Sequence, residues 1–242
     1  MFRTGNPALK ESAFRGEARA YGDEAMTVNG TVNKTGVALL ILLAAAAFVW
    51  NSETPQPFIL VGLVGGLVAA LVTVFKRTAA PYTVPVYAAF EGLLLGGLSV
   101  TFEQRYPGIV INAVALTFGT LAVLLAAYST GLIRPSEKFK LGVFAATGAV
   151  ALLYLVSMVM GFFGTSIPFI HDSGPIGIGF SLFVVGLAAL NLVLDFDFIE
   201  RGAAAGAPRY MEWFGAFGLL VTLVWLYLEI LRLLAKLQDR RR

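Results

Sequence analysis

The sequence predicts an all-α integral membrane protein, a bundle of about seven transmembrane helices, and three observations carry that prediction. Of the 242 residues 57% are hydrophobic, only 14% are charged, and the apolar residues fall in long continuous runs. A soluble domain typically carries about 25% charged residues, so water is a poor solvent for this chain. Lipid demands that backbone groups be satisfied within helices or a closed barrel. A barrel would alternate apolar and polar residues along each strand, and these runs do not alternate.

The elements follow in order. Residues 1–34 read as a polar N-terminal arm of mixed charge. Ala8, Leu9, Ala13, Phe14 and Tyr21 leave room there for a short interfacial helix. No compact charged–apolar–small pattern marks a cleavable signal peptide, so insertion is expected to be directed by the first membrane helix. A transmembrane domain covers 35–237, and 238–242 form a basic tail. The first run, Gly36–Trp50, is short for a hydrocarbon core that needs roughly 20 residues, so Thr31–Thr35 complete it. Pro55 and Pro57 separate it from Phe58–Phe75, and Lys76-Arg77 and Pro81 mark the next turn. The third run is Val84–Phe102. Tyr106-Pro107-Gly108 then turns the chain into Ile109–Ile133, and Arg134–Lys138 lead to Phe139–Phe163. A loop, Gly164–Pro175, holds His171 and Asp172. The sixth run, Ile176–Leu194, can continue through Ile199. Gly202–Pro208 connect it to the seventh, within Tyr210–Leu237.

Basic residues predict the orientation. With a cytoplasmic N-terminus, about twelve lysines and arginines fall in cytoplasmic segments, against Arg105 alone in the opposite loops. Arg232, Lys236 and Arg240–Arg242 are the exception, because seven crossings place them outside. Gly62/Gly66 and Gly92/Gly96 form small-xxx-small pairs, which in lipid point to close helix packing.

Composition also excludes classes of function. With no cysteine there is no disulfide, thiolate metal site or cysteine nucleophile, and a single histidine leaves little for a transition metal. The net charge of +3 sits in short loops and termini, so nucleic acid is not an expected partner. A serine protease needs serine and histidine together inside the membrane, whereas His171 lies in a loop. An aspartyl protease needs aspartates on two helices, and no aspartate lies in a second run. The protein is therefore not expected to be an enzyme, and no cofactor is expected.

The intramembrane acids are the candidates for function. Glu91 sits near the middle of the third run, where an ionised side chain costs about 2.5–3.5 kcal/mol to insert. It either stays protonated and bonds a neighbouring helix, or belongs to an ion or proton path. Asp195 and Asp197 follow the sixth run, near the expected cytoplasmic boundary. Two helical positions differ by about 200°, so only one of the two carboxylates should face the bundle. Acids at a helix C-terminus oppose the dipole, which hints at a role. Glu229 and Arg232 are spaced to form an ion pair on the seventh helix, and Glu212 is well placed for that helix's N-terminal dipole.

At these residues the sequence resembles the Bax inhibitor-1 family, the transmembrane Bax inhibitor motif proteins, in a bacterial branch. Leu194-Asp195-Phe196-Asp197-Phe198-Ile199-Glu200 is similar to that family's late helix six, where an aspartate precedes an isoleucine by four positions. Leu226-Tyr227-Leu228-Glu229 looks like its last-helix motif, which ends in aspartate. Tyr87–Leu93 and Met26–Thr31 look like the bacterial branch. The resemblance implies seven helices with the last one central, in the bacterial inner membrane, acting as a pH-sensitive calcium leak. Its two sensor aspartates carry over to Asp195, with Asp197 in reserve, and to Glu229, where a glutamate lengthens the side chain. Calcium enters only as the permeant ion, for which oxygen ligands are suited. The alternative is a non-conducting regulator that binds another membrane protein, such as a quality-control protease.

Overall fold

The computed structural model describes residues 25–164 and 172–240, and among them seven helices are long and apolar enough to cross a membrane. They are α1 (Val28–Trp50), α2 (Gln56–Phe75), α3 (Ala80–Arg105), α4 (Ile109–Ser129), α5 (Glu137–Phe162), α6 (Pro175–Ala204) and α7 (Met211–Asp239). The chain is an integral membrane protein. The candidate interfacial helix at 8–21 and His171 lie outside the described residues.

Local chemistry sets the helix ends. Thr27 caps α1 by accepting a hydrogen bond from the Gly30 amide (2.9 Å), so the helix starts in polar sequence ahead of the apolar run. Ser136 caps α5 by accepting from Phe139, with Glu137 in the first turn. Gly108 adopts a left-handed φ of 82° before α4, a conformation that glycine takes without strain. The fourth apolar run extends to Ile133, yet α4 stops at Ser129. There the Thr130 hydroxyl donates to the carbonyls of Ala126 and Ala127, and Gly131 turns left-handed.

The described residues divide into two compact units. One comprises 25–107 and 195–221, the other 108–194 and 222–240. In the first, α3 packs against both α1 and α2. Gly62 lies against the α3 backbone at Phe90 and Leu94, and Gly92 lies against the carbonyl of Leu42 on α1. A β-carbon at either place would collide with main chain, which cannot move aside as a side chain can. Gly66 and Gly96 follow one turn on, against Glu91 and Ala46. Both glycine pairs thus serve close packing.

In the second unit, Val143, Val150, Val184, Leu187 and Leu194 form an apolar cluster, flanked by Tyr154, Phe180 and Trp225. Along α7, 78% of the most apolar window is buried, against 17–22% in α1, α2, α4 and α5. The exposed faces of those four carry Leu40, Leu60, Leu63, Val123 and Leu152, suited to lipid tails.

Candidate functional site

Glu229 is the best-built acid in the second unit. Its side chain is 2% exposed, and Oε1 accepts two hydrogen bonds, from the Tyr154 hydroxyl (3.0 Å) and from Arg232 Nη1 (2.9 Å). The same Nη1 lies 2.8 Å from Tyr154 Oη, and the guanidinium stacks over the tyrosine ring at 5.2 Å. Arg232 is 40% exposed, so its stem lies along the protein while its head reaches outward. Glu229 Oε2 is buried and has no hydrogen-bond partner among the described residues. An arginine normally grips both carboxylate oxygens. Here one oxygen carries all the donors, and the other keeps its lone pairs for a proton, a water or a cation. About one turn beyond Arg232, Lys236 is buried and donates to the Gly177 carbonyl near the start of α6 (3.0 Å).

The other candidate acids lie in the first unit. Asp195 is wholly buried, and Asp197 is partly exposed in an ion pair with Arg201 Nε at 3.1 Å. The rotation of about 200° between neighbours-but-one on a helix separates the two environments. Their place along the helix differs from the sequence expectation. Because α6 runs on to Ala204, both aspartates sit more than a turn inside it, and the dipole penalty, confined to the last turn, does not reach them. The cause is burial of Phe196, Phe198 and Ile199, which keeps the helix going past the charged positions.

Glu91 is partly buried on α3, within hydrogen-bonding reach of Tyr87 one turn earlier, and Tyr87 packs edge-on against Phe217 (4.9 Å between centroids). Glu91 Oε2 is buried without a hydrogen-bond partner among the described residues. Glu212, expected only to favour the helix dipole, does more. It accepts from both the amide and the hydroxyl of Thr27 (2.9 Å each) and pairs with Lys34. The Met26 amide donates to the Ala207 carbonyl alongside (2.6 Å).

Sequence reasoning missed Tyr154, Thr147 and Asn191. Asn191 on α6 is 2% exposed, and its Nδ2 donates to Thr147 Oγ1 on α5 (2.8 Å) and to the Leu187 carbonyl (2.9 Å). A lone asparagine in an apolar run was the available signal. Among the described residues no three His, Asp or Glu side chains come together as a metal site would require.

The chain is 27% identical over 153 residues to the nucleobase-ascorbate transporter LPE1 of Zea mays, a match covering 55% of this chain and 29% of that protein. The family model described as Bax inhibitor 1 like matches residues 6–239, which include every described helix and each of the acids above. On that span, the chain belongs to the Bax inhibitor 1 like family.

Proposed function

We propose that the protein is a pH-sensitive calcium leak, a passive cation path controlled by intramembrane carboxylates. The observation that carries the reading is Glu229, buried in an apolar helix with one oxygen held and the other unpartnered among the described residues. A carboxylate in lipid is costly and is a functional-site hypothesis by default. When ionised it is a hard oxygen ligand suited to calcium. When protonated it loses its charge and most of its affinity, which gives the path its pH sensitivity. Asp195 is the second sensor, since it is wholly buried while Asp197 is committed to Arg201. Glu91, with its own unpartnered oxygen, is a further intramembrane carboxyl group that could titrate with function. Family membership and the partial likeness to a transporter both favour a transport role.

Purified protein in proteoliposomes should pass calcium at a rate that depends on pH. Asp195→Asn should flatten the profile, and Asp197→Asn should leave it close to wild type. Wild-type vesicles no leakier than protein-free ones would replace the leak with the alternative, a regulator acting on another membrane protein. Equal, negligible effects of both substitutions in folded protein would remove the helix-six acids from the mechanism.

The N-terminus lies in the cytoplasm of a bacterial inner membrane in this reading. Supporting it, Lys34, Lys76, Arg77, Arg201 and Arg209 all lie near the ends of α1, α2, α6 and α7 that share a side with the Met26–Ala207 contact. A single cysteine at Ser136 or Ala204 should label only from the cytoplasm, and one at Ser173 only from outside. The reverse pattern would invert the topology.

A further inference from the structure

The second unit carries two buried polar layers, and Glu229 belongs to only one of them. The contact of Lys236 with the Gly177 carbonyl fixes the register of α6 against α7. Counting inward from it, Asn191 lies fourteen residues along α6 and Thr222 fourteen residues back along α7, each about 21 Å at 1.5 Å per residue. They therefore lie at one depth. Thr147 joins them through its hydrogen bond with Asn191. Tyr154, two turns further along α5, belongs to the Glu229 layer, two turns from Thr222 on α7. Both helices thus give the same spacing, about 10.5 Å. Val150 and Leu187, both buried and in one apolar cluster, occupy the depth between the layers.

Asn191 is built to present an oxygen. Its Nδ2 faces the Leu187 carbonyl, which can only accept, so the amide orientation is fixed by chemistry. Oδ1 is then the atom left over, buried and without a hydrogen-bond partner among the described residues. A buried amide oxygen without a donor is an uncommon arrangement, and here it lies at a defined distance from an acid with the same deficit. We propose that Asn191 Oδ1 is a second, uncharged cation station, two helical turns from Glu229 and separated from it by the apolar layer of Val150 and Leu187. The inference rests on the leak reading and adds a selectivity-determining residue to it. A neutral carbonyl-type oxygen replaces one hydration water of a passing cation and holds it weakly enough to release it. Glu229 concentrates the ion by charge, and Asn191 receives it beyond the apolar layer.

The competing explanation is that Asn191 only ties α5 to α6, as polar side chains do in membranes. Three variants in proteoliposomes separate the two, with calcium and potassium as the probe ions and thermal unfolding in detergent as the measure of fold. Asn191→Leu, which keeps the volume and removes the oxygen, should lower calcium flux about tenfold. Thr147→Val, which removes the interhelical bond but leaves the amide orientation set by the Nδ2 contact with Leu187, should change flux less than twofold. Asn191→Asp, which keeps an oxygen and adds charge, should raise calcium-over-potassium selectivity several-fold. Wild-type flux in Asn191→Leu overturns the station, as does equal loss of flux in Asn191→Leu and Thr147→Val. Should Asn191→Leu fail to fold, unchanged selectivity in Asn191→Asp overturns it instead. These failures are distinct from failure of the leak itself, in which wild-type vesicles pass no calcium.

Discussion

Glu229→Gln should flatten the pH dependence of calcium flux, shifting it toward the value that wild-type protein reaches at its acid limit. Glutamine has the shape of glutamic acid and never ionises, so the variant stands for the protonated state at every pH. The side chain is 2% exposed, and its Oε1 would still accept from Tyr154 and Arg232. The fold should survive, because Arg232 is 40% exposed and can turn its charge to the interface when the carboxylate is gone. Breaking a fully buried pair costs about 3–5 kcal/mol, and this pair is open on the arginine side, so the loss should be smaller. Flux measured between acid and alkaline conditions provides the check. A variant with the wild-type midpoint and slope would show that Glu229 is not a sensor.

Glu212→Ala should be the most destabilising of the acid substitutions, although Glu212 lies far from Glu229 along the helix. Its carboxylate holds three donors, the amide and hydroxyl of Thr27 and the ammonium of Lys34. Glu212 is 3% exposed and Lys34 18%, so deletion strands a largely buried cation and a backbone N–H together. Leaving a buried charge without its partner costs about 3–5 kcal/mol. Near the unfolding midpoint of a chain this size, each kcal/mol corresponds to roughly 2–4 °C. Thermal unfolding in detergent should therefore fall by roughly 6–20 °C by the same conversion. Lys34→Met should fall less, because Glu212 keeps both Thr27 donors. A drop of under about 2 °C in Glu212→Ala would mean that the clasp contributes little.

The fold was legible because lipid imposes a simple rule: continuous apolar runs of sufficient length become helices. All seven emerged from that rule, and the glycines of α2 and α3 already pointed to close packing. Ends were less legible. The sequence leaves the sixth run ending either at Leu194 or at Ile199, whereas the apolar neighbours of Asp195 and Asp197 carry α6 to Ala204. The different surroundings of these two aspartates could be anticipated, since helical rotation alone separates them. What local pattern could not supply was long-range partnership. Glu229 and Arg232 are three residues apart and visible as a pair, whereas Tyr154 comes from 75 residues away. Asn191 was visible only as a lone polar residue in an apolar run, which acquires meaning from what faces it.

The clasp between Thr27, Lys34 and Glu212 has a consequence for biogenesis. Its halves are 178 to 185 residues apart in the chain, so α1 enters the membrane long before its carboxylate exists. At a synthesis rate of about 5–20 residues per second, the wait is roughly 10–40 s. Throughout that interval Lys34 must stay near the headgroups or pair with something else, and the start of α1 is held only by its own Thr27 cap. Helix α1 is thus completed by α7, which enters later, and a chain stalled before Glu212 would present the membrane insertion machinery with an unpaired lysine near the start of α1.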